Sequence, residues 1–213
     1  MSRVMNGNHE RSHFLSQFFR SQGDLSMVEV RQIYKLGHPV LRQTALPIYN
    51  VRDKWTRSLI QDLLATLHRC HGVGIAAPQI GVSRRAMVVA SHPNPRYPNA
   101  PKMEPTVMIN PHLIGHSDEM AKDWEGCLSV PAIRGLVPRY TFVEVEYTDP
   151  QGRLQRREFE GFVARIFQHE LDHLEGRVFL DRVKNTVTDL ISDQEYLDRQ
   201  VLILEQRQEL ATA

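Results

Sequence analysis

The stretch from Gln168 to Gly176 reads Gln-His-Glu-Leu-Asp-His-Leu-Glu-Gly, with two histidines four residues apart and a glutamate directly after the first. Positions i and i+4 of an α-helix lie on one face, one turn apart, so both imidazoles can reach one metal ion. Glu170 lies about a hundred degrees round the helix from His169, where it can touch a water on that metal without being a ligand. This HExxH arrangement predicts a metal-dependent hydrolase with Glu170 as general base.

The third ligand decides the class of hydrolase, and three completions of the site compete. Some peptidases place a further histidine six residues after the second one, but that position here is Phe179, which excludes this class. Thermolysin-like peptidases use a glutamate on a later helix, and Glu195 leaves that class open. Cys127 is the third candidate, because a cysteine thiolate is a strong metal ligand.

A closed, non-catalytic zinc module is a different class of protein, and it needs a fourth protein ligand. No other cysteine or histidine stands near these segments at ligand spacing. His112 and His116 are the nearest histidines, and we expect both on the surface.

The composition excludes several broad classes. The 213 residues are enough for one domain with a buried core. The formal net charge of +1 gives no general field that attracts nucleic acid or a membrane. No apolar run approaches the ~20 residues of a transmembrane helix, and the N-terminus lacks the apolar core of a secretory signal. The two cysteines, Cys70 and Cys127, favour free thiols in a reducing compartment or one metal-bound thiolate.

Alternating apolar residues predict several strands and one hairpin. A proline-rich segment at 92–105 interrupts them and is expected to be an irregular surface excursion at the rim of the substrate groove. The predicted strands lie at 28–33, 86–90, 106–109 (ended by Asn110-Pro111), 142–148 and 154–159 (a hairpin about the turn at 149–152) and 178–180.

Helical periodicity predicts three helices. The first runs from Asp53 to His71, with an apolar leucine stripe. The second carries the HExxH segment, begins near Gly161 and ends at Gly176, a residue type typical of a helix C-terminus. The third is a C-terminal tail that is helical from about Val187.

A small-residue segment follows the first helix and reads Gly72-x-Gly74-x-Ala76-Ala77-x-Gln79. Glycines permit unusual backbone angles and the close approach of another chain. Gln79 is the one side chain here with both a hydrogen-bond donor and an acceptor.

Three segments together resemble the peptide deformylase family: the glycine segment just quoted, Glu125-Gly126-Cys127-Leu128-Ser129, and the HExxH segment, in the order and spacing of that family. The similarity runs from about Val30 to Val183. It implies an α+β fold, with antiparallel or mixed β-sheets packed around a central metal-binding helix and with a C-terminal helix. It also implies removal of the formyl group from N-formylmethionine at the start of new proteins.

The resemblance assigns roles to particular residues. It implies one divalent ion, ferrous iron above all, with zinc, nickel or cobalt as replacements. The expected metal ligands are Cys127, His169 and His173, and the expected catalytic groups are Glu170, the Gln79 amide and the Leu128 backbone N–H, the last two as oxyanion donors.

The family binds its substrate backbone as an added strand, so a further set of residues is expected to line the groove. Arg134 is expected to reach a substrate carbonyl, and Asp172 to pair with Arg139. Arg165 departs from the expected pattern, because a hydrophobic residue is expected there beside the pocket. The candidate substrate-binding residues are Gly74, Ile75, Glu125, Gly126, Arg134 and Ile166.

We expect the chain to divide into a flexible lead at 1–27, a catalytic domain at 28–185 and a helical tail at 186–213. The tail holds six acidic residues and two arginines, which opposes tight docking on RNA phosphates. The expected partners are formylmethionyl peptides and nascent chains. We also expect transient proximity to the ribosome, with no stable nucleic-acid binding and no membrane binding. A cytoplasmic protein of bacterial type is expected, as a monomer or homodimer.

Overall fold

The computed structural model describes residues 29–94 and 96–212, with side chains as far as Leu202. The predicted lead at 1–27 lies outside the described residues. The described strands are β1 (Gly74–Ala76), β2 (Ala86–Ser91), β3 (Met103–His116), β4 (Met120–Cys127), β5 (Val130–Tyr140), β6 (Phe142–Thr148), β7 (Leu154–Glu160) and β8 (Leu190–Ser192). They form two sheets, in the orders β1-β2-β3-β6-β7 and β4-β5-β8, and every strand pair is antiparallel.

The helices are α1 (Lys54–Arg69), α2 (Gly161–Leu174) and α3 (Asp193–Thr212), with 3-10 turns at Pro39–Arg42, Ala77–Ile80 and Phe179–Arg182. The first helix begins where the sequence places it, because the Asp53 carboxylate accepts a hydrogen bond from the Thr56 N–H at 2.6 Å. The α+β fold with a central HExxH helix and a C-terminal helix is confirmed.

The larger sheet is buried on both faces along β2, and the alternation of the β2 side chains shows how. Val88 packs in the cluster that contains the apolar stripe of α1, while its neighbour Val89 packs in the cluster that contains α2. Side chains alternate between the two faces of a strand, and each such burial contributes roughly 1.5–3 kcal/mol. The sheet therefore holds α1 on one face and the HExxH helix on the other.

The smaller sheet closes the opposite side of α2, and Arg165 is part of that contact. Its guanidinium donates to the Val137 carbonyl at 2.7 Å and to the Ala121 carbonyl at 2.7 Å. The family resemblance leads us to expect a hydrophobic residue at this position. An arginine is accommodated because backbone carbonyls of β4 and β5 accept hydrogen bonds from its guanidinium N–H groups.

The predicted strand at 28–33 is wrong in its described part. From Glu29 onward the segment has no strand, since its backbone N–H groups bond to side chains of α1 and not to a neighbouring strand. The Glu29 N–H donates to Asp62 Oδ1 at 3.1 Å, and the Arg31 N–H donates to Thr66 Oγ1 at 2.9 Å.

Strand β3 is longer than predicted at both ends. It begins at Met103, inside the proline-rich segment, and it continues through Asn110-Pro111, which were expected to end it. Asn110 adopts a left-handed φ of 50° where the pairing with β6 shifts register. Its side-chain amide bonds to both the N–H and the carbonyl of Ile48 at 2.8 Å. A bulge thus absorbs the proline without ending the strand.

The C-terminal region also differs from the prediction. Residues 178–180, predicted as a strand, enter the 3-10 turn Phe179–Arg182. The tail is not helical from Val187, because Leu190 and Ile191 belong to β8, which pairs with β5. The helix begins at Asp193. None of the described helices is long and apolar enough to cross a membrane.

Candidate metal centre

Cys127, His169 and His173, the ligands that the family resemblance implies, lie close together in the structure. The two histidines lie one turn apart on α2, and Cys127 ends β4 at a shift of register against β5. One donor atom from each residue lies within 4.8 Å of the others. Cys127 Sγ is 3.2 Å from His173 Nε2, and the two imidazole rings are nearly perpendicular. One thiolate and two imidazoles are a donor set for zinc or iron.

The electrostatics of Cys127 favour the thiolate that a metal requires. Burial alone would raise the pKa of this thiol, but His173 and His169 lower it well below its ordinary value. Glu195, the rival third ligand, is half-exposed on α3 and pairs with Arg199 at 2.8 Å. It is not part of the potential metal-binding group found among the described residues.

Glu170 lies beside these ligands with a carboxylate that is almost completely buried, at 3% exposure. Its Oε2 atom has no hydrogen-bond partner among the described residues. Burial raises the pKa of Glu170 to about 7. A buried, unpartnered carboxylate of near-neutral pKa is suited to accept and return a proton.

Gln79 is held by its own turn so that its amide nitrogen faces the cysteine. Its Oε1 accepts from the Ala76 N–H at 2.8 Å. Its Nε2 donates to Ser129 Oγ at 3.3 Å and to Cys127 Sγ at 3.6 Å. The donor end of the amide therefore points to the site, and Leu128, whose N–H is the second expected donor, lines the same cavity.

The structure contains the predicted ion pair between Arg139 and Asp172, at 2.6 Å. It also contains partners that the sequence did not indicate. Arg139 binds both carboxylate oxygens of Glu125 at 2.9 Å, and Glu125 Oε2 lies 2.9 Å from His169 Nδ1. This contact orients the imidazole, as the outer partners of metal-binding histidines do. Burial would raise the pKa of Glu125, but Arg139 lowers it below its usual range.

Two further cations bind the carboxylates of this cluster, the buried Arg165 and the partly exposed Arg182. Arg165 donates to Glu125 Oε1 at 2.9 Å, and Arg182 donates to Asp172 Oδ1 at 2.6 Å. The cluster ties α2 to the smaller sheet directly behind His169. No periodic signal in the sequence marks these pairs, because their members are far apart along the chain.

A cavity opens beside the three ligands, and four of the six predicted substrate-binding residues line it: Gly74, Glu125, Gly126 and Ile166. The other two lie elsewhere. Ile75 is fully buried in the core beneath α1. Arg134 is 1% exposed, and its guanidinium pairs with Asp193 at 2.6 Å.

Some residues of the cavity lining were not singled out from the sequence. Tyr97 comes from the proline-rich excursion, so the placement of that segment at the groove rim agrees with the structure. Nothing in the sequence indicated that Trp124 or Phe162 lies in the cavity. Trp124 directly precedes the cysteine segment at 125–129, and Phe162 lies on the apolar side of the HExxH helix. The missed lining residues include Tyr97, Trp124 and Phe162.

Comparison with known proteins identifies relatives of most of the chain. The family model described as polypeptide deformylase matches residues 30–189. Peptide deformylase 2 of Nostoc sp. is 55% identical over 168 residues, which cover 79% of this chain and 93% of that protein. Peptide deformylase 1 of Bordetella pertussis is 44% identical over 156 residues, which cover 73% of this chain and 89% of that protein.

Solved structures give the same result. A class I type b peptide deformylase from Acinetobacter baumannii with Met-Ala-Ser bound shares 45% identity at a TM-score of 0.72. The match covers 74% of this chain and 100% of that one. A peptide deformylase from Synechococcus elongatus in complex with actinonin shares 34% identity at a TM-score of 0.66, covering 83% of this chain and 86% of that one.

Proposed function

Since the chain belongs to the polypeptide deformylase family, we propose that ferrous iron, held by Cys127, His169 and His173, serves its metal-dependent removal of the formyl group from N-terminal formylmethionine. The observation that carries this proposal is the convergence of one thiol and two imidazoles, within 4.8 Å, beside the buried and unpartnered carboxylate of Glu170. A thiolate with two imidazoles also accepts zinc, nickel or cobalt, so the choice of iron is tested separately below.

Three protein ligands leave a position open for water, as in catalytic sites. When bound, the ion supplies Lewis acidity and lowers the pKa of water. In our proposal Glu170 takes the proton from the attacking water and returns it to the leaving amine, so that formate and a free methionine amine result. The Gln79 amide and the Leu128 backbone N–H donate to the oxyanion of the tetrahedral intermediate.

The substrate chain enters along the two glycine-containing segments in this proposal. Gly74 and Gly126 both line the cavity, where the absence of side chains lets a peptide backbone approach. Ile166 contributes an apolar wall for the methionine side chain, and Glu125 acts through the His169 imidazole. Ile75 and Arg134 are left out of the contact set because of their burial.

The peptide bound to the A. baumannii relative supports the substrate class of this proposal. Met-Ala-Ser is what remains when a formyl group is removed from formyl-Met-Ala-Ser. The substrate class proposed here is therefore a short or nascent peptide with an N-terminal formylmethionine. We propose that the enzyme binds nascent chains while it is transiently close to the ribosome. Two free cysteines support a reducing compartment, and we propose that it is the cytoplasm of a bacterial cell. Sedimentation at two concentrations separates a monomer from a homodimer.

The test is formate release from formyl-Met-Ala-Ser by protein prepared anaerobically with ferrous ion. We expect turnover that a chelator abolishes and that added ferrous ion restores. Parallel reconstitution with zinc, nickel and cobalt ranks the ions. No formate release by protein that contains stoichiometric metal would overturn the proposal, and ordinary peptides would then be tested as substrates.

Replacing Gln79 with leucine is expected to lower kcat about 10²- to 10³-fold, because loss of one oxyanion donor costs about 2.7–4 kcal/mol of transition-state stabilisation. Metal content should stay at the wild-type value, since Gln79 is not a ligand. The measurement is steady-state formate release beside metal analysis. Gln155→Leu, on the remote strand β7, is the matched control. Retained kcat in Gln79→Leu would exclude the amide as a donor.

Replacing Gly74 with alanine is expected to displace the general base. A Cβ at this position would come within 2.8 Å of Glu170 Cδ, so the carboxylate must move. We expect kcat to fall about a hundredfold, the lower end of what a positioned base contributes, with metal retained. Gly115→Ala places the same methyl group on β3, and its activity should match the wild type. Equal kcat for both variants would contradict this account.

A further inference from the structure

The Arg134 guanidinium joins three separate parts of the chain. Its Nε donates to Asp193 Oδ1 at 2.6 Å, and its Nη1 donates to the Tyr97 hydroxyl at 3.3 Å. Its Cζ lies 4.0 Å from the centroid of the Tyr196 ring and 5.3 Å from that of Tyr97. Both distances are within the range of cation–π attraction. The Arg134 side chain is buried, so these contacts are the compensation for taking its charge out of water.

Two of these partners come from the start of the C-terminal helix. Asp193 begins α3, and Tyr196 follows one turn later. Strand β8, directly before them, pairs with β5 so that Ile191 lies opposite Arg134. The start of the C-terminal segment is therefore anchored on β5 at the position of this arginine.

The third partner belongs to the cavity. Tyr97 and Phe162 both line it, and their rings pack at 4.9 Å between centroids with a tilt of 51°. The Tyr196 hydroxyl also donates to the Arg96 carbonyl at 3.5 Å, next to Tyr97. Arg134 thus contacts both Tyr97, in the aromatic wall of the cavity, and the start of α3.

We propose that the start of the C-terminal helix is part of the substrate site: Asp193 and Tyr196 position the Arg134 guanidinium, which holds Tyr97 against Phe162 as the outer wall of the cavity. Tyr97 then determines specificity by limiting the width of the N-terminal side chain. Arg134, Asp193 and Tyr196 are positioning residues. This inference rests on the proposed function, because it assigns the cavity to the methionine side chain.

The first test compares formyl-Met-Ala-Ser with the bulkier formyl-Phe-Ala-Ser in Asp193→Asn and Tyr196→Leu. We expect KM for the methionine substrate to rise about three- to tenfold, the range that loss of one cation–π contact or charged hydrogen bond implies. The preference in kcat/KM for methionine over phenylalanine should fall by a similar factor. The kcat for the methionine substrate should change less than twofold, because the reacting groups are untouched.

Two control variants separate this role from general damage to the helix. Glu195→Gln removes a charge in the same turn of α3, where Glu195 pairs only with the exposed Arg199 among the described residues. It should leave KM and preference unchanged. Tyr196→Phe keeps the ring over Arg134 and loses only the bond from the hydroxyl to the Arg96 carbonyl, so its KM should lie closer to the wild-type value than that of Tyr196→Leu.

Tyr97→Ala removes the aromatic side chain from the cavity wall directly. It therefore tests the inference even if a variant in α3 does not fold. It should reproduce the loss of preference. Unchanged KM and preference in Tyr97→Ala, or in both helix variants, overturns the inference. A parallel loss of kcat and metal also overturns it, since that indicates a purely structural role. Absence of turnover in the wild type overturns the proposed function itself, whereas wild-type turnover with unaffected variants overturns this inference alone.

Discussion

Replacing Glu170 with alanine is expected to lower kcat about 10²- to 10⁴-fold, the contribution of a positioned general acid–base group, and to leave the metal bound. The side chain lies beside the metal ligands without belonging to the potential metal-binding group. Its Oε2 has no partner among the described residues, so no structural hydrogen bond of that atom is lost. The measurement is formate release per bound metal, with metal content determined on the same preparation.

Two further variants make the result specific to the carboxylate. Glu170→Gln keeps the shape of the side chain but cannot accept the proton, so its kcat should fall nearly as far. Glu160→Ala, an exposed glutamate just before α2, should retain wild-type kcat. If Glu170→Ala lost its metal, the residue would be acting as a ligand or a structural support, and its role as base would have to be abandoned.

Replacing Arg139 with leucine is expected to lower the free energy of unfolding by about 3 kcal/mol, the lower end for removal of one partner from a buried ion pair. Arg139 binds Glu125 and Asp172, and the three side chains are at most 5% exposed. Arg165 and Arg182 still neutralise the two carboxylates, which places the loss at the lower end. For a chain of this length the midpoint of thermal unfolding should fall by roughly 6–12 °C.

The matched control is Arg156→Leu. Arg156 also forms an ion pair at 2.9 Å, with Glu146, but its side chain is 68% exposed. Exposed pairs contribute at most about 1 kcal/mol, so this variant should unfold near the wild-type temperature. Similar losses in both variants, or none in Arg139→Leu, would show that the buried cluster does not stabilise the domain as argued.

The local periods of the sequence predict much of this protein. The two histidines of the HExxH segment share a helix face because they are four residues apart, and that spacing alone predicts a metal. Asp53 caps the start of α1, and the turn at 149–152 joins β6 and β7 into a hairpin. Both features depend only on residues that are close along the chain. The resemblance in three segments then indicated Cys127 as third ligand, which the structure places 3.2 Å from His173 Nε2.

Local patterns failed where distant groups supplied the hydrogen-bond partners. The segment after Glu29 alternates like a strand, yet side chains of α1 bind its N–H groups. The Asn110-Pro111 pair is typical of a strand end. In the structure, hydrogen bonds between the Asn110 side chain and the Ile48 backbone stabilise a bulge, and β3 continues past it. Leu190 and Ile191 fit the helical pattern of the tail, yet they form strand β8 because they pair with the edge of β5.

The chain by itself determined the metal-binding face of α2, the glutamate beside it, most of the helices and the hairpin of β6 and β7, because each depends on residues close together along the chain. Only the tertiary structure decided the surroundings of that face. Arg165 meets Glu125 across 40 positions and Arg134 meets Asp193 across 59. Pairs so far apart leave no period in the sequence, since their distance is set by how sheets and helices pack and not by the path of the chain between them.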